Sequence, residues 1–138
     1  MNKEYVKRIL DEDIARKLRL FGAIIVEGAK LTGKSTSCRQ HAKTVFEFQD
    51  AEKKDFYKLQ VTTNPKALLE QENPILFDEW QDNHTIWDAI RHDVDRKGES
   101  GLYLLTGSEN TKKDEVLHTG TGRFAFIRMR PMSLYERG

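Results

Sequence analysis

The chain has 138 residues, of which 33% are charged and 38% hydrophobic, and its formal net charge is +1. These values predict one soluble globular domain over residues 1–138. The small net charge gives no overall electrostatic argument for binding to nucleic acid or to a membrane surface. The single cysteine, Cys38, excludes an internal disulfide and a cysteine-based metal site, and no secretory or membrane-spanning pattern is present, so we expect a cytoplasmic protein.

The chain begins with a predicted amphipathic helix over residues 3–20. Its basic residues could contact a phosphate backbone, but Asp11, Glu12 and Asp13 interrupt them, which favours a solvated face. The apolar positions that recur at helical spacing are Tyr5, Val6, Ile9, Leu10, Ile14 and Leu18.

A phosphate-binding motif of the form G-x-x-x-x-G-K-[ST] follows at residues 28–35. The run Ala23-Ile24-Ile25-Val26 before it is typical of a buried strand, and residues 34–43 contain no proline or glycine, which permits a helix. The alternative is a glycine turn that binds nothing. The predicted nucleotide-binding residues are Gly28, Ala29, Lys30, Leu31, Thr32, Gly33, Lys34, Ser35 and Thr36.

The chemistry of this motif assigns separate tasks to its residues. The glycines permit a tight turn whose backbone N–H groups point at one anion, and the N-terminus of the following helix adds partial positive charge. Lys34 supplies a mobile charge for the outer phosphates, and Ser35 supplies a hydroxyl ligand for Mg²⁺.

The next segments are predicted to be an edge strand, a loop and a short helix. Val45-Phe46-Glu47-Phe48 alternates weakly, and Lys53-Lys54 falls in the predicted loop after it. Asn64 and Pro65 predict a helix start, with Leu68 and Leu69 facing the core.

A second informative stretch, Pro74-Ile75-Leu76-Phe77-Asp78-Glu79, combines an apolar strand with two acids at its end. Ligands of open parallel sheets bind at the carboxyl ends of the strands, so Asp78 is expected to hold Mg²⁺ opposite Ser35. Glu79 could then orient or deprotonate an attacking water. The alternative is that both acids cap the next helix.

Residues 80–97 contain a predicted helix that Gly98 ends, with Ile86, Ala89, Ile90 and Val94 on one face. None of the four histidines has a partner at metal-ligand spacing. Leu102-Tyr103-Leu104-Leu105 predicts another buried strand, which ends in Thr106-Gly107-Ser108. A hydroxyl at that end could contact the terminal phosphate or the attacking water; the alternative is a simple turn.

Residues 108–122 are polar and are predicted to form a mobile loop before a last strand, Phe124-Ala125-Phe126-Ile127. Arg123 follows the glycine-rich end of this loop and could reach a phosphate in its own subunit or in a neighbour. It could equally be a surface charge. Arg128 and Arg130 share one face of the strand, where solvent or a partner explains them as well as a site does.

Four segments together resemble the prokaryotic AAA-type ATPases that carry an uncharacterised C-terminal domain. The segments are G-A-K-L-T-G-K-S, I-L-F-D-E-W-Q, L-L-T-G-S and H-T-G-T-G-R…R-P-M-S-L-Y-E. The resemblance as a whole covers most of the chain, from about Tyr5 to Glu136.

The resemblance implies an α/β P-loop NTPase fold, with a mostly parallel sheet of about five strands in the order 5-1-4-3-2. It also implies ATP and Mg²⁺ as ligands, Lys34 and Ser35 in the Walker A motif, and Asp78 and Glu79 as the Walker B acids. Ser108 corresponds to the polar sensor and Arg123 to the arginine finger or sensor. Relatives continue beyond P-M-S-L-Y-E, so the chain is expected to be the N-terminal module of a longer protein.

Three functions follow from these residues. The leading hypothesis is Mg²⁺-dependent hydrolysis of ATP to ADP and phosphate, with Lys34, Glu79, Ser108 and Arg123 as catalytic residues. A nucleotide-gated interaction switch with little intrinsic hydrolysis is the second, and a homo-oligomer or a C-terminal domain is its expected partner. A P-loop kinase is the third; the adjacent acids suit activation of water better than a second substrate.

Overall fold

The structure is a computed structural model that describes residues 3–28, 34–83, 85–107 and 123–129. None of the helices in these ranges combines the length and the apolar character that a bilayer span requires. The helices are α1 (Lys3–Leu20), α2 (Lys34–Arg39), α3 (Lys54–Thr63), α4 (Pro65–Leu69) and α5 (Thr85–Lys97), with a 3₁₀ helix at Trp80–Asp82. The strands are β1 (Ala23–Gly28), β2 (Thr44–Glu47), β3 (Ile75–Asp78), β4 (Tyr103–Gly107) and β5 (Phe124–Met129).

The five strands form one parallel sheet in the order β2-β3-β4-β1-β5. This confirms the predicted order 5-1-4-3-2, counted from the other edge. The central strands are the continuous apolar runs of the sequence, since both faces of a parallel sheet are covered by helices. Every residue of β1, β3 and β4 is buried, whereas β2 lies at an edge and is partly exposed, as its weaker alternation predicts.

Alternate residues of the strands enter two separate apolar cores, one on each face of the sheet. Leu10 and Ile14 of α1 and Cys38 of α2 pack with Ile24, Val26, Leu76 and Leu104 on the first face. Cys38 is thus a small buried core residue. The second face carries α3, α4 and α5, and its core includes Ile25, Phe77, Trp80, Trp87, Ile90 and Leu105.

Helix α3 was not predicted from the sequence, which assigned Lys53 and Lys54 to a loop. Only Tyr57 and Val61, which are one helical turn apart, face the core from this helix. Phe56 and Leu59 are 61% and 63% exposed, so apolar residues on the outer side obscure the helical pattern. The helix ends where Asn64 N–H bonds Gln60 O, and α4 begins at Pro65 as predicted, although the Asn64 side chain makes no capping hydrogen bond.

At the amino-terminal edge of the sheet, where the parallel strands begin, backbone hydrogen bonds converge on Gly22. Its N–H donates to Arg123 O at 2.9 Å, and its carbonyl accepts from the N–H groups of Leu102 and Tyr103, both at 3.0 Å. A Cβ at this position would lie 2.5 Å from Val94 Cγ1 and 3.1 Å from Glu99 O. Glycine is therefore required here by the close approach of α5 to the start of β1.

A buried carboxylate, Asp93 of α5, bonds three donors at the same edge. The Tyr103 hydroxyl donates to Oδ2, Arg96 Nη2 donates to Oδ1 at 2.6 Å, and Lys97 Nζ lies 3.1 Å from Oδ2. Burial disfavours the charge of Asp93, but these donors together outweigh it, so the pKa of Asp93 is lowered. Burial and the adjacent carboxylate of Asp93 raise the pKa of Tyr103, which keeps its hydroxyl protonated as a donor.

We expect Asp93→Asn to lower the free energy of unfolding by about 1–3 kcal/mol at pH 7, because charge-assisted hydrogen bonds are lost. A lowered native pKa stabilises the fold fully above the unfolded pKa, and this contribution is lost as the pH falls through the native pKa. The difference between the variant and the wild type should therefore shrink below about pH 4 in urea unfolding. Asp88→Asn, at a position 73% exposed beside Arg91, is the control and should change stability by no more than about 0.5 kcal/mol. Equal effects of the two variants would contradict the role given to Asp93.

Candidate functional site

The carboxyl ends of β3 and β4 and the first turn of α2 meet at the buried carboxylate of Asp78. Ser35 Oγ donates to Asp78 Oδ1 at 2.7 Å, and the Thr106 hydroxyl donates to the same oxygen. Asp78 is 8% exposed and Thr106 is fully buried. Two hydroxyls and a carboxylate from three separate segments therefore converge at one point on this edge of the sheet.

The other oxygen of Asp78 faces a cation. Arg39 Nη2 lies 3.7 Å from Asp78 Oδ2, and the same nitrogen pairs with Glu47 at the end of β2. Arg39 is the last residue of α2, so it connects the end of that helix to two adjacent strands. The carboxylate of Asp78 is thus stabilised by two hydroxyl hydrogen bonds at one oxygen and by a nearby guanidinium at the other.

The residue after Asp78 leaves the strand in a left-handed conformation. Glu79 has φ 59° and ψ 58°, which costs a residue other than glycine on the order of 1–3 kcal/mol. Its N–H donates to Thr106 Oγ1 at 3.0 Å, and its carboxylate oxygen Oε2 accepts from Gln81 Nε2 at 2.7 Å. Thr106 therefore bonds both acidic residues. Its hydroxyl hydrogen bonds the side chain of Asp78, and its oxygen accepts from the backbone N–H of Glu79.

The surroundings of the phosphate-binding motif are those that the motif requires. β1 ends at Gly28 and α2 begins at Lys34, so the motif connects a buried strand to a helix at the edge that carries Asp78. Ser35 and Thr36 lie in the first turn of α2, and Thr36 is exposed. Residues 29–33 and Ser108 lie outside the described residues, as does the loop predicted at 108–122.

Arg123 is not brought together with these groups. It precedes β5 at the amino-terminal edge, where its Nε lies 3.9 Å from Asp95 Oδ1. Strand register places Asp78 level with Ile127, four residues further along β5 and three strands across the sheet. At about 3.3 Å per residue and 4.8 Å per strand, the two backbones are roughly 19 Å apart. An arginine side chain does not bridge this distance, so Arg123 cannot reach the Asp78 edge of its own sheet.

A different arginine lies at the carboxyl edge. Arg128 Nε donates to Glu27 Oε1 at 3.2 Å, and Arg128 Nη2 lies 3.0 Å from the same oxygen in an ion pair. Glu27 is 2% exposed and directly precedes Gly28, the first residue of the phosphate-binding motif. By strand alternation this pair lies on the face that carries α5, whereas Asp78 lies on the face that carries α2. The ion pair joins the end of β5 to the strand that leads into the motif.

Within the described ranges, no group of three or more His, Cys, Asp and Glu side chains forms a metal cluster. Ser35 and Asp78 instead offer a hydroxyl and a carboxylate oxygen, which are the ligand types of a hard cation such as Mg²⁺. Such a cation usually keeps several waters and binds substrate phosphates, so a protein site with one or two ligands is sufficient.

The comparisons with known proteins agree with this geometry. The AAA domain family matches residues 20–137 of the chain. The chain belongs to the AAA domain family. Its fold, and the strand and helix on either side of its phosphate-binding motif, are accordingly those of a nucleotide-binding domain of the ATPase type. No curated protein matches the chain.

Three residues of this AAA domain escaped prediction as site residues. Arg39 is a helix-end arginine that no sequence pattern distinguishes from a surface residue. Gln81 is the last residue of the segment I-L-F-D-E-W-Q, but neither its chemistry nor the resemblance assigned it a role. Arg128 was considered but left open, and only the pairing of β5 with β1 places it beside Glu27. Knowledge of the strand register would have found Arg128, because Glu27 and Arg128 are register partners.

Thr106→Val should lower the free energy of unfolding by about 1–3 kcal/mol, because the Glu79 N–H loses its acceptor and Asp78 loses a donor. Urea unfolding measures the effect. Thr62→Val is the matched control, since Thr62 is exposed on α3 and bonds only the carbonyl of Lys58 in its own helix. If both valine variants were as stable as the wild type, Thr106 would not be holding the two acids.

Proposed function

We propose that this AAA domain catalyses Mg²⁺-dependent hydrolysis of ATP to ADP and phosphate. The observation that carries the proposal is the 2.7 Å hydrogen bond between Ser35 Oγ and Asp78 Oδ1. It brings the hydroxyl of the Walker A motif to the acid of the Walker B motif, with Glu79 next to it. Family membership supports the nucleotide-binding part of the proposal.

Ser35 and Asp78 are the residues that would hold Mg²⁺, which supplies positive charge to the phosphates when bound. The amides of residues 28–33 and the ammonium of Lys34 bind the same phosphates in the proposal, and Ser108 contacts the terminal one. Glu79 accepts a proton from the water that attacks the terminal phosphorus. Thr106 supports this step, because it bonds the backbone N–H of Glu79 as well as Asp78.

ATP, rather than GTP, is the proposed nucleotide, because the family is AAA and the sequence contains no N-K-x-D element for guanine. Water, rather than a second substrate, is the proposed acceptor, because Glu79 directly follows the metal-binding acid. A reducing cytoplasmic setting belongs to the same proposal and is supported by the single cysteine of the sequence, which excludes an internal disulfide.

Glu79→Gln is expected to keep ATP affinity within about twofold and to lower kcat by about 10²–10⁴, the usual range for a lost general base. Lys34→Ala is expected to lose ATP binding instead, because the phosphates lose their point charge. Phosphate release with ATP and with GTP measures turnover, and titration with a fluorescent ATP analogue measures affinity. Glu52→Gln, an exposed acid on the loop before α3, serves as the control. Unchanged turnover by Glu79→Gln would reject the assignment of the base.

The position of Arg123 favours a second candidate, a nucleotide-gated switch that hydrolyses little as a monomer. Arg123 lies at the opposite edge from Asp78, where it is 44% exposed. If an arginine at this position contacts a nucleotide phosphate, the phosphate must belong to the site of a neighbouring copy or of another partner. Because an arginine finger contributes about 10³–10⁵ in kcat, hydrolysis by a separated monomer would be slow.

If Arg123 acts on a neighbouring copy, Arg123→Ala and Glu79→Gln should each be nearly inactive alone. An equimolar mixture should recover activity, because some assemblies then combine an intact site with an intact arginine. Arg19→Ala, an exposed arginine of α1, is the control and should retain wild-type turnover. Phosphate release across a protein concentration series measures both effects. Full activity of Arg123→Ala in a dilute, monomeric sample would exclude this role.

A further inference from the structure

We propose that Gln81 is a positioning residue for Glu79, whose side-chain amide sets the orientation of the carboxylate that activates water. The inference rests on the proposed ATP hydrolysis. It assigns a role in that reaction to a residue other than the Walker A residues and the two Walker B acids.

The first support is the direct contact between the two side chains. Gln81 Nε2 donates to Glu79 Oε2 at 2.7 Å. This bond is within the range of a charge-assisted hydrogen bond, and it engages one of the two carboxylate oxygens. A carboxylate held at one oxygen has a defined rotation about its terminal torsion, which is otherwise broad. The contact therefore fixes the direction in which the other oxygen points.

The second support is the orientation of the amide itself. In the described part of the chain, Gln81 Oε1 is buried and accepts no hydrogen bond. Turning the amide over would place Oε1 against the carboxylate of Glu79, and two acceptors would then face each other. The observed orientation keeps the bond to Glu79 although the amide oxygen is left without a donor.

The third support is that the backbone on both sides of this contact is fixed. Glu79 holds a left-handed conformation that its N–H bond to Thr106 Oγ1 maintains. Gln81 belongs to the 3₁₀ helix anchored by Trp80, which is 1% exposed and contacts Trp87 in a tilted arrangement with ring centroids 5.9 Å apart. Both residues therefore make this hydrogen bond from backbone that is already held in place. A preorganised catalytic base requires such a support.

The test compares two nearly isosteric variants. Gln81→Met keeps the volume of the side chain and removes the donor, and Gln81→Glu replaces the donor by a charge that repels Glu79. In both, kcat for phosphate release from ATP should fall by about tenfold or more, because misplacing a catalytic group by about 1 Å costs up to 10². Affinity for a fluorescent ATP analogue and the melting temperature should stay close to those of the wild type.

Two further comparisons separate positioning from a structural effect. Gln71→Met is the matched control, since Gln71 is exposed and donates to Ala67 O on α4, and it should leave kcat unchanged. In the Glu79→Gln background, Gln81→Met should lower single-turnover rates by less than about twofold, because residues that act as a unit are not additive.

Each other outcome counts against a stated part of the proposal. Wild-type turnover in both Gln81 variants, or a loss of kcat matched by an equal loss of ATP affinity or a large fall in melting temperature, would overturn the role of Gln81. Full additivity with Glu79→Gln would also overturn it. Absence of hydrolysis by the wild type at all protein concentrations would reject the proposed function, and the positioning role with it.

Discussion

One oxygen of Asp78 accepts hydrogen bonds from Ser35 and Thr106, and the geometry of the candidate site depends on these two bonds. They join the helix after the phosphate-binding motif to two adjacent strands. This arrangement is possible because every strand pair in the sheet is parallel, so all strands end at the same edge. Burial strengthens the interaction, since a carboxylate removed from water is costly unless hydrogen-bond donors and cations surround it.

The two edges of the sheet have different characters. At the amino-terminal edge, backbone bonds converge on Gly22, and the carboxylate of Asp93 is bonded by three donors. At the carboxyl edge, Glu79 is held in a left-handed conformation and Glu27 is buried beside Arg128. Strained backbone and buried charge are costly to stability and concentrate at functional sites. Buried carboxylates occur at both edges, whereas the left-handed Glu79 lies at the carboxyl edge, and this agrees with the nucleotide site that we propose there.

Much of the fold could be predicted because the central strands are continuous apolar runs with glycine and acids at their ends. The same runs predicted that Asp78 and Thr106 would lie at strand ends, and the strand order that the resemblance implies makes those strands neighbours. The structure places the two residues in contact. Helix α3 could not be predicted, because its two buried residues are outweighed by the exposed Phe56 and Leu59. Hydrophobic periodicity in a sequence reflects which residues are buried. A helix with only a narrow buried stripe therefore gives a weak periodic pattern.

The candidate site was less predictable than the fold, because several of its contacts depend on position in space. Arg123 follows a glycine-rich segment, which suggested a phosphate, but its place before β5 puts it at the wrong end of its own sheet. Glu27 and Arg128 are 101 residues apart in sequence and meet only through strand pairing. Gln81 is close to Glu79 in sequence, yet their side-chain contact could not be predicted, because it forms where the left-handed Glu79 leads into the 3₁₀ helix.

The crowding at Gly22 has a consequence for whatever approaches the amino-terminal edge. The carbonyl of Arg123 accepts hydrogen bonds from the N–H groups of both Gly22 and Ala23, so the backbone of this residue is held against the start of β1. A binding partner that meets an arginine on a loose loop must first suppress its motion, which weakens association. Here the two backbone hydrogen bonds supply that order in advance, and a partner docking against this edge would need to restrict the side chain rather than the main chain.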